Sequence, residues 1–318
     1  MDAHGSRPTQ GRMNPLPHTP IRKAIIPVGA LGITVGSAST GGPRNLLTVV
    51  DKPIIQYAIE EAIAAGIGEL IFVTSPARQQ MSGSCDPHDD LEHELQRRQK
   101  LDLIELVLQL QAPHLTRVSV RQAPEPGLGP ALMCAEELVK KQAFALIVAE
   151  DLMHHSPNVL QQMMRRMATY PAHAQPTLLA IERHATGHSL PQDTLAGQRV
   201  GDRLLQASSL GPAAPASPGP HQMGIVGRYL LTPAIFEHLD PTRTGHPPCL
   251  RRALLSLLRS DVVLAYEYEG TRYDCSSTFG YLQANVELAL RAPDLQDRFG
   301  RYIEQVVKAR AVTATAQL

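Results

Sequence analysis

The chain has 318 residues, 43% hydrophobic and 19% charged, enough to bury a sizeable core and too long to depend on disulfide staples. Lys plus Arg and Asp plus Glu both number 30, so no bulk field recruits nucleic acid or an anionic membrane. The four cysteines, Cys85, Cys134, Cys249 and Cys275, include no Cys-x-x-Cys pair, which argues against a zinc site or redox motif and for a reducing cytoplasm.

Residues 1–20 are polar and proline-rich and read as a disordered arm. No stretch offers the roughly eighteen consecutive apolar residues that span a bilayer, so a soluble, unexported cytoplasmic protein is expected. Lys23 to Val28 is short, β-branched and apolar. It ends in Gly29-Ala30-Leu31-Gly32, a buried parallel strand entering a glycine-rich loop. Such a loop lets backbone N–H groups approach a phosphate, or is a plain strand-to-helix turn. It lacks both the Gly-x-Gly-x-x-Gly spacing of dinucleotide-binding dehydrogenases and the ending of a P-loop.

Ile54 to Ala65 has helical spacing and stops at Gly66, and Glu69 to Thr74 reads as the second strand. Asp89 to Leu110 is rich in helix formers, Arg117 to Arg121 alternates as a strand, and Pro130 to Lys140 reads as a helix. Phe144 to Val148 is a continuous apolar strand that delivers Glu150 and Asp151 to its carboxyl end, where open α/β sheets bind ligands. Leu178 to Ile181, Met223 to Leu231 and Val262 to Tyr268 read as strands. Leu250 to Arg259 and Gly280 to Arg291 read as helices, and the C-terminus as helical to about Arg310. Ser208 to His221 reads as a loop, too polar and proline-rich for a sheet. Cys275 reads as a packed small side chain, and the Arg251-Arg252 pair as a solvated helix face that could reach phosphate in a rebuilt site. Only six basic residues are lysines, none between Lys141 and Lys308, so over half of the chain can offer a phosphate only arginine or a metal.

The segments Lys23 to Val28, Leu31-Gly32, Val50 to Tyr57, Ala64 to Ile67, Arg121-Gln122, Gly127-Leu128-Gly129, Ile225 to Tyr229, Tyr273-Asp274-Cys275 and Gly280 to Ala284 follow one another in the order of a known family. Over residues 22–291 the chain closely resembles bacterial UTP:glucose-1-phosphate uridylyltransferases. The resemblance implies a Rossmann-like nucleotidyltransferase fold, a mixed, mostly parallel sheet flanked by helices. It implies one such domain over 21–310, nucleotide-binding to about 155 and sugar-binding beyond, before a tail at 311–318. It also implies UTP or UDP-glucose and glucose 1-phosphate as ligands, Mg²⁺ as cofactor, and association with itself or with an active homologue.

Position by position, the resemblance implies that Ala30, Leu31 and Gly32 cradle the nucleotide and that Gln122, Gly127 and Gly129 meet the uracil. Glu182 and Gly227 fall at the sugar, Glu150 and Asp274 at the metal, and Arg44 is the surviving catalytic cation. Several family cations are missing. Thr34 stands where the glycine loop carries arginine, Thr40 where a lysine is expected, and Leu210-Gly211-Pro212 where Glu-Lys-Pro follows the sugar strand. Ser276-Ser277-Thr278 has lost the lysine after the Asp-Cys-Gly signature, and Glu150 is a methylene longer than the family's aspartate. Each lost charge-stabilising donor costs roughly 10² to 10³ in rate, so the expectation is a weak or altered uridylyltransferase. A nucleotide-binding regulator of an active homologue and a purely structural subunit are the alternatives.

Overall fold

The computed structural model describes residues 21–28, 47–74, 115–122, 125–139, 141–171, 175–183, 193–212 and 223–315. The 1–20 arm, the glycine loop with Ala30, Leu31, Gly32 and Arg44, and the helix expected over 89–110 lie outside them.

Continuous apolar segments build the centre. β1 (Lys23–Val28) pairs in parallel with β4 (Glu69–Thr74) on one side and β6 (Phe144–Ile147) on the other, and β4 pairs with β5 (Thr116–Arg121). On the far side of β6 come β11 (Met223–Leu231), β8 (Thr177–Arg183), β12 (Val263–Glu267), β10 (Leu204–Pro212) and β9 (Asp193–Gly201), completing a nine-stranded sheet in the order β5-β4-β1-β6-β11-β8-β12-β10-β9. Only β11 and β10 run against the rest, so the mixed, mostly parallel sheet is as expected. β9 also pairs with β11, Met223 opposite Leu195, which folds the sheet's far end back on its middle.

Both faces are covered, because successive side chains of β1 and β4 point to opposite sides. Ala24, Ile26, Leu70 and Phe72 pack with Ile55 and Ile59 of α1 (Ile54–Ala64) and Leu160 and Met163 of α3 (Val159–Met167). Ile25, Ile71 and Val73 pack with α2 (Leu128–Val139), α4 (Ala234–Leu239) and α6 (Leu250–Ser260). A short α5 (Pro241–Thr244) joins the last two. α1 stops where expected: Gly66 follows the cap at φ 87°, a left-handed turn that favours glycine.

Two small ribbons complete the fold. β2 (Thr48–Val49) and β3 (Lys52–Pro53) form a hairpin held to α7 (Thr278–Ala289) by Tyr281, whose hydroxyl donates to the Thr48 carbonyl at 2.6 Å. β7 (Asp151–His154) pairs antiparallel with β13 (Thr271–Asp274). α8 (Gln296–Thr315) continues past Arg310, five residues beyond the expected end.

The loop expected at Ser208 to His221 is corrected in its first part: Ser208 to Pro212 are the second half of β10. Beyond Gln206 the strand leaves β12 and pairs with β9 alone, so Ser208 and Ser209 face solvent and only Leu210 is buried. A polar, glycine-bearing segment suffices where one ladder and one side chain fix the register. Residues 213–222 lie outside the description.

Candidate active site

A cleft of about 400 Å³ opens at the carboxyl end of β6. Beyond Ile147 the backbone N–H of Val148 donates to the Gly227 carbonyl at 2.9 Å, tying the floor to β11. The chain then turns through Glu150 into β7. There the β7–β13 ladder sets Asp151 directly opposite Asp274, and the Cys275 N–H donates to the Glu150 carbonyl at 2.9 Å. Three carboxylates thus converge.

Their charges are handled differently. Asp151 is fully engaged: one oxygen accepts the Gly227 N–H at 2.7 Å, the other the Arg272 guanidinium at 2.7 Å. Asp274 accepts only from the N–H and hydroxyl of Ser276, and Glu150 forms no salt bridge among the described residues. Burial pushes the Glu150 carboxyl up to about 7; Asp151 and Asp274 push the same way, against the pull of its own N–H and of Arg228. Glu150 and Asp274 are therefore cleft carboxylates with no ion pair among the described residues.

Arg272 is 7% exposed and doubly neutralised, since its Nε also donates to Glu182 at 2.9 Å. The second oxygen of Glu182 accepts the Tyr268 hydroxyl at 2.8 Å. The opposite wall is the entry to α2. Gly127 turns at φ 124°, and Gly129 lies so close to the α6 entry that a Cβ there would sit 2.5 Å from the Pro248 carbonyl oxygen. Behind this turn the Gln122 amide donates to the carbonyls of Glu125 (2.7 Å) and Gly127 (3.2 Å). Its Oε1 is buried with no hydrogen-bond partner among the described residues.

At the far end of the cleft Arg251, in the first turn of α6, reaches Asp193 at the start of β9 (3.2 Å). The buried Tyr229 hydroxyl is pushed well above its usual range by burial first and by the charges of Asp151 and Asp193 second. Among the described residues the lining holds four carboxylates, Glu150, Asp151, Asp193 and Asp274, against two guanidiniums, Arg251 and Arg272.

Of the residues expected at the site, Gly127, Gly129, Glu150, Gly227 and Asp274 line this one cleft. Gln122 is the support behind its glycine turn, whereas Glu182 stands outside the lining and reaches it only through Arg272. Ala30, Leu31, Gly32 and Arg44 are not described. Sequence reading did not single out Arg272 or Asp193 and named Tyr229 only within the Ile225 to Tyr229 match; Arg251, read as a solvated helix face that could reach phosphate in a rebuilt site, is 44% exposed and lines the cleft. The signal for Arg272 was its place one residue before Tyr273-Asp274-Cys275, on a strand too short to show alternation. Asp193 and Arg251, 58 positions apart, carried none.

Residues 37–187 match the nucleotidyl transferase family model. The chain is 31% identical over 296 residues to UTP–glucose-1-phosphate uridylyltransferase 2 of Streptococcus pyogenes serotype M1, covering 92% of this chain and 98% of that one. It is 30% identical over 304 residues to UTP–glucose-1-phosphate uridylyltransferase of Bacillus subtilis, covering 92% and 99%. Among solved structures, the UTP-bound UDP-glucose pyrophosphorylase of Acinetobacter baumannii superposes with a TM-score of 0.71 at 30% identity, covering 89% and 98%. A UDP-glucose pyrophosphorylase complexed with UDP-glucose gives 0.67 at 28%, covering 85% and 99%. An identity of this size over nearly the whole of both chains leaves one conclusion: the chain belongs to the UTP–glucose-1-phosphate uridylyltransferase family.

Proposed function

We propose that the chain binds a uridine nucleotide and a hexose 1-phosphate in this cleft and transfers the uridylyl group between them slowly. In that reaction a phosphate oxygen of glucose 1-phosphate attacks the α-phosphorus of UTP. A P–O bond forms as the bond to the β-phosphate breaks, giving UDP-glucose and pyrophosphate. The ligands named for the superposing structures, UTP and UDP-glucose, support the substrate class.

The chain's own part is positioning. The buried Oε1 of Gln122 suits the N–H of a uracil ring, and the Gly127–Gly129 turn leaves room for close backbone approach. Glu150 and Asp274 suit Mg²⁺, which is commonly bound by one or two carboxylates with the remaining oxygens from substrate phosphates. Bound there, the ion would withdraw charge from the phosphate oxygens. No group of three or more His, Cys, Asp or Glu among the described residues is arranged to hold a metal unaided, so ion and nucleotide would bind together.

The observation that carries slow transfer is the make-up of the lining among the described residues, four acidic side chains against two guanidiniums with Arg272 already neutralised. Phosphoryl-type transfer depends on cations aimed at the phosphate oxygens. The same balance favours a second reading, a non-catalytic nucleotide-binding paralogue that regulates an active homologue.

The test is pyrophosphate release from UTP, glucose 1-phosphate and Mg²⁺, run beside the Bacillus subtilis enzyme, with calorimetry against UTP and UDP-glucose. The expected result is binding, with turnover at least about 100-fold below the reference, the cost of one or more lost donors. Equal turnover overturns slow transfer, binding without turnover selects the regulator, and absence of binding overturns both.

A further inference from the structure

Arg251 is the one described guanidinium of the cleft that a ligand can recruit. Arg272 bonds two carboxylates and is 7% exposed; Arg251 is 44% exposed and touches a single carboxylate of the described residues. It meets Asp193 through a single contact with both side chains open to solvent, 44% and 30% exposed, and an ion pair so placed is weak and readily exchanged. The position is fixed by packing, because the α6 entry at Pro248–Cys249 lies against Gly129. Asp193 is equally fixed, paired with Pro212 across the β9–β10 ladder. The guanidinium thus stands at the end of β10, where Pro212 pairs with Asp193. Tyr229 lines the same cleft as the carboxylates Glu150, Asp151 and Asp274.

From this arrangement we propose that Arg251 is the phosphate-reading residue of the cleft. In the free chain it is parked on Asp193, and it leaves that carboxylate for phosphate oxygens when ligand enters. Arginine suits the exchange, since its planar fork binds phosphate with two parallel N–H bonds where Asp193 takes one. Asp193 is then a competitor that keeps the empty cleft from holding stray anions. The inference rests on the reading of the cleft as a nucleotide-sugar site, and it concerns phosphate from either source, the sugar phosphate or the nucleotide.

Calorimetry with UDP-glucose, glucose 1-phosphate, pyrophosphate and uridine, each with Mg²⁺, separates the possibilities when applied to wild type, Arg251→Gln and Asp193→Asn. Arg251→Gln should weaken phosphate-bearing ligands on the order of 10- to 100-fold, flatten the salt dependence of their binding, and leave uridine unchanged. Asp193→Asn should bind the same ligands as tightly as wild type or tighter, an outcome that a merely structural ion pair would not give. Weakening by glucose 1-phosphate alone assigns Arg251 to the sugar phosphate; weakening by pyrophosphate alone assigns it to the nucleotide. If wild type binds glucose 1-phosphate or pyrophosphate but no uridine compound, and Arg251→Gln loses that binding, the arginine assignment stands while the uridine reading falls. Wild-type affinity in Arg251→Gln, weakening in Asp193→Asn, or no binding of any probe by wild type overturns the assignment.

Discussion

Arg228 and Glu61 form an ion pair sealed inside the protein, with both Nε and Nη2 of the arginine on one carboxylate oxygen at 3.0 and 2.7 Å and the side chains 1% and 6% exposed. The other Glu61 oxygen accepts the Leu160 N–H at the start of α3, while Arg228 Nη1 donates to the carbonyls of Val148 and Gly227. Every arm of the pair is used, which is the condition under which a buried charge is tolerated. One contact therefore joins α1, α3 and the cleft floor. Glu61→Leu, which strands the guanidinium, should lower unfolding free energy by about 3 to 5 kcal/mol, and the double change with Arg228→Met should recover much of it. Urea denaturation of the two variants checks both halves.

Gly227 carries the next prediction. A Cβ there would lie 2.7 Å from the Val148 Cβ and 2.9 Å from Asp151 Oδ2, the atom its own N–H bonds at 2.7 Å. Gly227→Ala should cost about 1 to 3 kcal/mol through overpacking and displace Asp151 from Arg272. Weakened UDP-glucose binding beside a modestly lowered melting temperature is the expected pair of results.

Restoring the lost family residues tests the charge argument. Ser276→Gly removes the hydroxyl that occupies Asp274, and Thr278→Lys brings an ammonium to the first turn of α7. Combined with Thr34→Arg, these changes should raise pyrophosphate release by about 10- to 100-fold, the scale of one or more charge-stabilising donors. Release that stays flat would locate the deficit at Glu150 or at Leu210-Gly211-Pro212.

Thiol chemistry gives a pH-resolved check. Burial pushes the Cys275 thiol up to about 12, and the Asp151, Asp274 and Glu150 carboxylates push it further the same way. The reactive thiolate is therefore scarce below pH 12 and grows only as pH rises toward it. At pH 8 iodoacetamide should modify the half-buried Cys134 and Cys249 and spare Cys275 until the protein unfolds. UDP-glucose should slow modification of Cys249, which lines the cleft, and leave Cys134 unchanged. Peptide mapping by mass spectrometry reads all three positions.

The sheet's central strands were legible because Lys23 to Val28, Glu69 to Thr74 and Phe144 to Ile147 are buried on both faces and so read as unbroken apolar runs. The β7–β13 ribbon was not, because four residues per strand, ending in Asp151 and His154, give no periodicity to detect. The β9–β10 hairpin was hidden by Gly197, Gly201 and the serines, whose pairing depends on the partner backbone; a Cβ at Gly197 would meet the Gln206 carbonyl oxygen at 2.3 Å. At the cleft, Glu150 and Asp151 were readable because a strand end announces itself locally, whereas Gly127 was named only through the family resemblance. Arg272, Asp193 and Tyr229 enter it only through ladder pairing and helix docking. Among the described residues the cleft draws its guanidiniums from β13 and α6, elements that lie far from it along the chain.

The double attachment of β9, to β10 along one edge and to β11 through Met223 and Gly224 along the other, has a mechanical consequence. Asp193 is held at the start of a strand pinned on both edges, and one of its two neighbours is the strand that carries Gly227 and Arg228. Arg251 can therefore leave its resting carboxylate at the rim while Asp193 stays where the two ladders hold it.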